Sequence, residues 1–265
     1  MNPNGPVSQV AVLVDFENLV YGAGKGLPPG QGNPVPYEAL ARLCTDYGNA
    51  SVRRAYANWA DPRFGRYQED LAMNGVDLIQ VPRIGTQTKN AADIRIAVDA
   101  METLISHPVV TVFVLVTGDS DFSPLVQRLR EFGKWVVGVG TEANASRRLV
   151  SICSEYKYWG TLVAEVDPAT RPAVSAAFDI GAAHRLLKRA FEETSSDTPT
   201  ASAVKAKMLA LDPAFDERNY DCRRFRDFLA TYPRVRQSGK SGGDILLELI
   251  ADPATNLDKG NRTSQ

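Results

Sequence analysis

Cysteine and histidine are scarce in this sequence, with 3 and 2 copies among 265 residues. Cys44, Cys153 and Cys222 are widely spaced and form no C-x-x-C pair. The sequence therefore predicts neither a zinc site nor a disulfide framework, and a reducing compartment fits best. His107 and His184 are poorly placed to act as catalytic nucleophiles, and His107, which precedes a proline, is expected to be structural.

Long apolar runs and an excess of charge are also absent. No uncharged run approaches the roughly 18 residues that a membrane span needs, and the first residues lack the charged region and apolar core of a signal peptide. We therefore expect a cytoplasmic protein without membrane contact. Lys and Arg total 30 against 31 Asp and Glu, for a formal net charge of -1, and 44% of residues are hydrophobic. These values are typical of a globular chain and require any nucleic-acid-binding surface to be local.

The chain is organised around residues 109–122, VVTVFVLVTGDSDF. The apolar part predicts a strand buried on both faces of a parallel sheet. Asp119, Ser120 and Asp121 follow Gly118 at the carboxyl end of that strand, where open α/β sheets bind their ligands. Two carboxylates this close repel each other, and a divalent cation is their usual partner. For one aspartate alone, capping of the next helix is an equally good interpretation.

A second short apolar run, residues 9–14, also ends in an acid, Asp15. If the two strands are neighbours in a parallel sheet, Asp15 and Asp119 meet at the same edge although they are far apart in the chain. Asn18 follows closely, and its amide suits either a cap of the next turn or a contact to water or phosphate. Spacing alone leaves both roles open.

Predicted strands and helices alternate to about residue 160, which indicates a parallel sheet with helices on both faces. Residues 21–36 interrupt the pattern with five glycines and four prolines. Irregular loops of this length are often functional, so we expect a mobile flap over the site. Further strands are predicted at residues 52–59, 76–81 and 135–139, and helices at 37–47, 63–73, 91–105, 124–132 and, for the most part, 145–158.

The helix predicted at residues 91–105 carries two aspartates. Asp93 in its first turn and Asp99 six residues later are roughly 120° apart around the axis, so they cannot face one point equally well. Considered alone, Asp93 would be an acid that interacts with the helix dipole, and Asp99 a structural or solvated residue. The 3,4 spacing of its apolar residues predicts that this segment is a helix. The apolar residues with this spacing are Ile94, Ala97, Val98, Met101, Leu104 and Ile105.

After residue 164 the composition changes to small residues and proline, which predicts a linker. Three predicted helices at residues 180–194, 201–211 and 220–232 precede a predicted β hairpin, an order typical of a winged-helix domain. Six basic residues near the third helix and the hairpin oppose a single acid, Asp227. Such a local positive surface favours phosphate contact, with an ordinary solvated surface as the alternative. The basic residues are Arg223, Arg224, Arg226, Arg234, Arg236 and Lys240.

Three motifs, in this order along the chain, resemble those of the NYN domain, a branch of the PIN-like nucleases. They are VDFEN at 14–18, KNAAD at 89–93 and TGDSDF at 117–122. Each motif is weak alone, but the combination is specific. The resemblance covers residues 7–162 and implies an α/β fold, a PIN-like, Rossmann-like three-layer domain built on a parallel sheet.

Residues 179–250 resemble the LOTUS (OST-HTH) domain, through LLKRAFEE at 186–193 and PAFDERNYDCRRFRDFLATYP at 213–233. This resemblance implies a small winged-helix-like domain that contacts RNA or a protein partner. Asp221 stands where that family commonly has glycine. Residues 163–178 are then a linker and residues 251–265 a flexible tail.

The NYN resemblance implies a metal-dependent ribonuclease. Asp15, Asp93 and Asp119 match the acids that hold the divalent metal, Mg²⁺ or Mn²⁺, in PIN-like domains, and Asp121 fits as a further acid. These four acids are thus the expected catalytic and metal-binding residues. The expected substrate-binding residues are Asn18, Ser120 and Lys89 beside the site and Arg223, Arg224 and Arg226 in the C-terminal part.

Two other functions stay open at this stage. A non-catalytic RNA-binding or regulatory adaptor is possible, although a degraded site would show Asn or Ala at one of the acid positions. A Toprim-like Mg²⁺ phosphotransfer enzyme also fits the D-S-D triplet, but such sites have a Glu where the first strand ends, and here Asp15 ends it. A dinucleotide-binding domain is disfavoured because no G-x-G-x-x-G follows that strand. No motif indicates an oligomeric state.

Overall fold

The structure is a computed structural model, and it describes residues 8–24, 35–82, 90–166 and 178–250. The chain divides into two compact units, Met1–Val174 and Ser175–Gln265. Four sequence predictions lie wholly or mostly outside the described residues: the proposed flap, the phosphate contact of Lys89, the linker at residues 163–178 and the flexible tail. No helix in the described part of the chain is long and apolar enough to cross a membrane.

The first unit contains a six-stranded sheet in which every neighbouring pair is parallel. This confirms the predicted parallel α/β sheet. The strand order is β3-β2-β1-β4-β5-β6, so the direction of winding reverses between β1 and β4. The strands are β1 (Gln9–Asp15), β2 (Asn49–Ala57), β3 (Asp77–Gln80), β4 (Val110–Val116), β5 (Trp135–Gly140) and β6 (Glu155–Tyr158).

Helices flank this sheet because the central strands are apolar on both faces. Val10, Val12 and Val14 of β1 belong to a core that includes buried residues of α2 and α8. Successive side chains alternate between faces, so Ala11 and Leu13 face the other layer, where α5 packs against β1 and β2. The helices are α1 (Phe16–Ala23), α2 (Tyr37–Asp46), α3 (Pro62–Gly65), α4 (Gln68–Met73), α5 (Ala91–Ser106), α6 (Ser123–Glu131), α7 (Arg147–Ile152) and α8 (Trp159–Val166).

Three predicted elements in this unit were partly wrong. The helix predicted at residues 63–73 is two short helices, α3 and α4, with Arg66 and Tyr67 between them. Residues 145–158 are not one helix, because α7 ends at Ile152 and the edge strand β6 follows. The sequence of β6, EYKY, is polar and only Tyr156 is buried, so it lacks the apolar run that revealed the central strands. The predicted flap also begins too early at Tyr21, since α1 continues to Ala23.

The helix predicted at residues 91–105 is observed as α5, but most of the apolar residues that predicted it do not lie on its buried face. Ile94, Val98 and Ile105 are 64%, 58% and 76% exposed. The face that meets the sheet includes two polar residues, Asp99 and Thr103, each of which is almost fully buried. Of the six apolar residues with helical spacing, Leu104 is the one that is buried on α5. The residues buried on α5 are Ile96, Asp99, Ala100, Thr103 and Leu104.

The second unit has its own core, built from three helices and an antiparallel hairpin. The predicted order of elements is observed, and the winged-helix assignment stays a prediction. The third helix is shorter than predicted, because a 3₁₀ turn at Glu217–Tyr220 ends at Asp221 in the left-handed conformation, with φ of 62°. The elements are α9 (Ile180–Glu192), α10 (Ala201–Leu211), α11 (Phe225–Ala230), β7 (Val235–Ser241) and β8 (Asp244–Leu249).

Candidate functional site

The candidate site lies at the carboxyl ends of β1 and β4, the two strands between which the winding reverses. In open α/β sheets the connections leave a crevice at this point. Asp15 is the last residue of β1, and Asp119 follows β4 by three residues. Asp93 enters from the first turn of α5.

Asp15 is the most enclosed acid of the site, at 6% exposure. Its Oδ1 accepts a hydrogen bond of 3.1 Å from the backbone N–H of Asn18 and so caps α1. Burial and, to a lesser extent, the charges of Asp93, Glu17 and Asp119 raise the pKa of Asp15 to about 7, against the opposing effect of the Asn18 hydrogen bond. The fold thus holds a carboxylate in a place that disfavours its charge.

Asp93 is half-buried, and its pKa is raised to about 6 by burial and then by the charges of Asp119 and Asp121. Asp119 caps the 3₁₀ turn that follows β4, where its Oδ1 accepts a hydrogen bond of 2.9 Å from the N–H of Asp121. Asp121 is exposed, and Ser120 between them is half-buried. The sequence-predicted acids therefore share one electrostatic environment.

None of these four acids forms an ion pair with a basic residue in the described part of the chain. Among those same residues, no group of three or more His, Cys, Asp or Glu side chains is arranged closely enough to hold a metal ion. Mg²⁺ takes oxygen ligands and is usually held by one or two carboxylates together with water and substrate phosphates. The chemistry of this donor set therefore fits a hydrated divalent cation.

Asn18 links the two central strands instead of projecting freely. Its Oδ1 accepts hydrogen bonds from the Gly118 N–H at 3.3 Å and from Asn144 Nδ2 at 2.7 Å. Asn144 is held in turn, because its Oδ1 accepts from the N–H and the hydroxyl of Thr141 at 2.9 and 2.8 Å. This uncharged network fixes the backbone that presents Asp15 and Asp119.

Asn144 and Thr141 are two further residues of the site, and neither was predicted from the sequence. The available signal was their position just after β5, which pairs with β4 and so ends at the same edge of the sheet. Glycines make room for the network: a Cβ on Gly118 would lie 2.5 Å from the Asn144 carbonyl oxygen, and a Cβ on Gly22 would lie 2.6 Å from Asn144 Nδ2. Side chains at either position would displace the amide that orients Asn18.

A protein-family model described as NYN domain matches residues 9–160. The chain belongs to the NYN domain family. An uncharacterized protein of Methanocaldococcus jannaschii is 27% identical over 147 residues, which are 54% of this chain and 52% of that protein, so the chain spans about half the length of this curated relative. A crystal structure of a protein of unknown function from Vibrio parahaemolyticus is 26% identical with a TM-score of 0.49, and the match covers 59% of this chain and 94% of the other.

NYN domains are in general metal-dependent ribonucleases. The matched residues of this NYN domain include all four acids of the candidate site and end before the second unit begins. The family match therefore concerns the chemistry of the first unit alone.

Asp99 lies on the same helix of the NYN domain but outside the site. Its Oδ2 accepts a hydrogen bond of 2.9 Å from the Tyr56 hydroxyl and lies 3.6 Å from Arg54. Its Oδ1 accepts from Arg95 Nε at 2.9 Å. Asp99 therefore ties α5 to β2 and has a structural role.

Outside the NYN domain, Arg223, Arg224 and Arg226 are exposed around the start of α11. Arg226 also lines a groove of about 280 Å³ between α11 and the hairpin. Arg236 forms an ion pair of 2.8 Å with Glu248. Three of the predicted basic residues thus present charge to solvent at one end of a helix.

Proposed function

We propose that this protein is a metal-dependent ribonuclease that hydrolyses phosphodiester bonds of RNA, with Asp15, Asp93, Asp119 and Asp121 as ligands for Mg²⁺ or Mn²⁺. One observation carries the proposal. Acids from three distant parts of the chain lie at the crevice between β1 and β4, where burial and then the charges of neighbouring acids raise the pKa of Asp15 to about 7 and that of Asp93 to about 6. Carboxylates held together without basic partners are suited to a divalent cation.

Different residues of the chain would bind the metal ion and the substrate. The four acids would bind a hydrated cation, one or two of them directly and the others through its waters. When bound, the cation would lower the pKa of water and stabilise charge on the scissile phosphate. Asn18 and Ser120 contact the substrate beside the acids, and Asn18 is already oriented by Asn144 and Gly118. The phosphate contact of Lys89 falls outside the described residues and belongs to the proposal on sequence grounds.

The second unit would bind the RNA or a protein partner, as a LOTUS-like winged-helix domain of residues 179–250 joined to the nuclease domain of residues 7–162 by a linker. The exposed Arg223, Arg224 and Arg226 support this role because guanidinium groups bind phosphate oxygens in a fixed bidentate geometry. A tethered binding domain raises the effective concentration of substrate at the catalytic domain.

The decisive experiment measures cleavage of end-labelled single-stranded RNA by the purified chain with Mn²⁺, Mg²⁺ or EDTA. Asp119→Asn is assayed beside it, and Asp70→Asn, which changes an exposed acid of α4, serves as the matched control. We expect metal-dependent cleavage by the wild type and by Asp70→Asn, and its loss in Asp119→Asn. A parallel assay with single-stranded DNA of the same sequence tests the preference for RNA.

Equal cleavage by all three proteins would indicate a contaminating nuclease and remove the support for the proposed site. If the chain binds RNA in a gel-shift assay but no metal yields cleavage, the adaptor function replaces the enzymatic one. A loss of RNA binding in a triple Arg223→Gln, Arg224→Gln and Arg226→Gln variant, with cleavage of a short RNA retained, would separate the roles of the two units.

A further inference from the structure

Helix α5 has an apolar stripe on the side that faces solvent. Ile94, Val98 and Ile105 are 64%, 58% and 76% exposed, and Met101 between them is half-buried. An isolated exposed leucine or isoleucine is ordinary, but a contiguous apolar face on a soluble protein is typical of an interaction surface. The opposite face of α5 is buried against β1 and β2, so the stripe is not part of the core.

The stripe has the spacing of a coiled-coil seam. Ile94, Val98, Met101 and Ile105 are separated by 4, 3 and 4 residues. This is the d-a-d-a pattern of the heptad repeat, in which each apolar side chain packs into a hole on a facing helix. The occupant that such a seam fits is another helix with the same pattern.

The charges beside the seam select the direction of that helix. Arg95 and Glu102 both occupy e positions of this heptad, seven residues apart on one flank of α5. In an antiparallel pair of identical helices, e positions face e positions, so each Arg95 meets a Glu102. In a parallel pair they would face the g positions, which are the uncharged Ala97 and Leu104.

The partner's Glu102 would meet an arginine that is available to it. Arg95 is 55% exposed and bonds Asp99 through Nε, which leaves the donors of its terminal guanidinium nitrogens outside that bond. Glu102 is exposed on the same flank of α5. Opposite charges at matching flank positions favour the antiparallel register over the others.

We propose that two copies of this chain form a dimer about a two-fold axis, through an antiparallel pair of α5 helices. Ile94 packs against the partner's Ile105, and Val98 against the partner's Met101, as a self-complementary interface requires. Asp93 precedes the seam by one residue, so the two candidate sites lie at opposite ends of the helix pair. At 1.5 Å per residue they are separated by roughly 20 Å along its axis.

The first test is the mass of the full chain in solution, by sedimentation equilibrium, for the wild type, Val98→Glu and Met73→Glu. Val98→Glu places a charge inside the seam, and we expect it to weaken dimerisation by at least about 100-fold. Met73→Glu makes the same change at a residue of α4 that is 79% exposed, and we expect a wild-type dimer. Circular dichroism establishes that both variants are folded.

The second test determines whether the two α5 helices are antiparallel or parallel, and it does not depend on Val98→Glu being folded. Chains carrying Ile94→Cys and chains carrying Ile105→Cys are mixed and oxidised; the three native cysteines are buried. We expect disulfide-linked dimers only in the mixture, because a disulfide requires Cα atoms within roughly 7 Å. In the antiparallel pair, two Ile94 positions lie roughly 16 Å apart along the axis.

The proposal is overturned if the wild type is a monomer at 100-fold above the concentrations used for activity assays, or if Val98→Glu dimerises like the wild type. Cross-linking of Ile94→Cys with itself would indicate a parallel pair and would equally overturn it. Glu102→Arg, which sets two arginines against each other, is expected to weaken the dimer by roughly threefold to tenfold at low salt and by less at high salt.

Discussion

Helix α5 carries two aspartates, Asp93 and Asp99, in opposite electrostatic environments. Asp99 is buried, and its carboxylate is satisfied by Tyr56, Arg54 and Arg95. Asp93 is more exposed, yet its pKa is raised to about 6 by burial and by the acids Asp119 and Asp121. Depth of burial alone does not decide whether an acid stabilises the fold, because the charges around it matter as much.

Aspartate thus has two different roles in this domain. The paired acid ties a helix to the sheet, whereas the unpaired acids of the crevice are held together at a cost in stability. Such local conflicts are expected where a protein keeps residues for a ligand and not for the fold. Substitution of Asp99 should therefore lower the stability of the protein, whereas substitution of an unpaired acid of the crevice should raise it.

The largest effect is expected from Asp99→Ala. The change would leave Arg54 and Arg95 without their buried partner, and breaking one side of such a pair typically costs about 3–5 kcal/mol. Urea unfolding measures the change, with Asp70→Ala on the exposed surface of α4 as the control. A loss below about 1 kcal/mol would mean that the Asp99 network is not a structural tie.

Asp15→Asn should stabilise the protein in metal-free buffer, which is the opposite of the effect expected from Asp99→Ala. The pKa of Asp15 is about 7 when folded against 3.8 for the free side chain, so between these values the folded state binds the extra proton. The free energy of unfolding of the wild type therefore falls as pH rises through this window, and the whole penalty is present above pH 7. The neutral amide removes the penalty and keeps an oxygen to cap α1.

We expect Asp15→Asn to be more stable than the wild type by about 4 kcal/mol at pH 8 in EDTA, and nearly equal to it near pH 4. Thermal unfolding at the two pH values measures the difference. If the variant were less stable at pH 8, the raised pKa of Asp15 would not describe the protein. Saturating Mg²⁺ should stabilise the wild type and not the variant.

Asn144→Ala tests the uncharged network that holds the site together. The change removes the donor to Asn18 Oδ1 and the acceptor for Thr141, at an expected cost of about 1–2 kcal/mol. Any RNA cleavage should fall as well, because Asn18 and Gly118 lose their common anchor. Ala143→Ser, one residue earlier on the exposed part of the loop, is the control. Unchanged stability and cleavage would exclude a positioning role.

The smallest effect is expected in the second unit, at Asp221. Its φ of 62° is tolerated by aspartate and glycine but strains a β-branched residue. Asp221→Val should therefore cost about 1–2 kcal/mol, while Asp221→Gly should fold normally. Urea unfolding measures the free energy of unfolding of Asp221→Val. Asp212→Val, which makes the same change at a residue with φ of -143°, is the control.

Much of the fold was predictable because the central strands are apolar on both faces. The runs at residues 9–14 and 109–117 gave strands, and the acids after them gave the edge at which a ligand site would lie. The same reasoning from apolar runs did not find β6. This strand lies at the edge of the sheet, and Tyr156 is the one buried residue of its sequence EYKY. Edge strands carry little hydrophobic signal, so sequence periodicity cannot locate them.

The features of α5 and of the β5 loop that could not be predicted have another origin. The buried face of α5 includes Asp99 and Thr103, which become suitable for burial only because Arg54 and Tyr56 of a distant strand meet them. Asn144 likewise acquires its role from Asn18, far earlier in the chain. Partners of this kind are set by tertiary structure, and a single sequence does not reveal them.

The reversal of winding between β1 and β4 also affects how the protein is made. Asp15 emerges from the ribosome early, but the acids that complete the crevice belong to segments that follow β3 and β4. Because chains are synthesised from the amino end, at roughly 5–20 residues per second, the crevice cannot assemble until β4 has paired beside β1. A nascent chain therefore carries an incomplete site for the first part of its synthesis, and the topology itself delays the assembly of the acids.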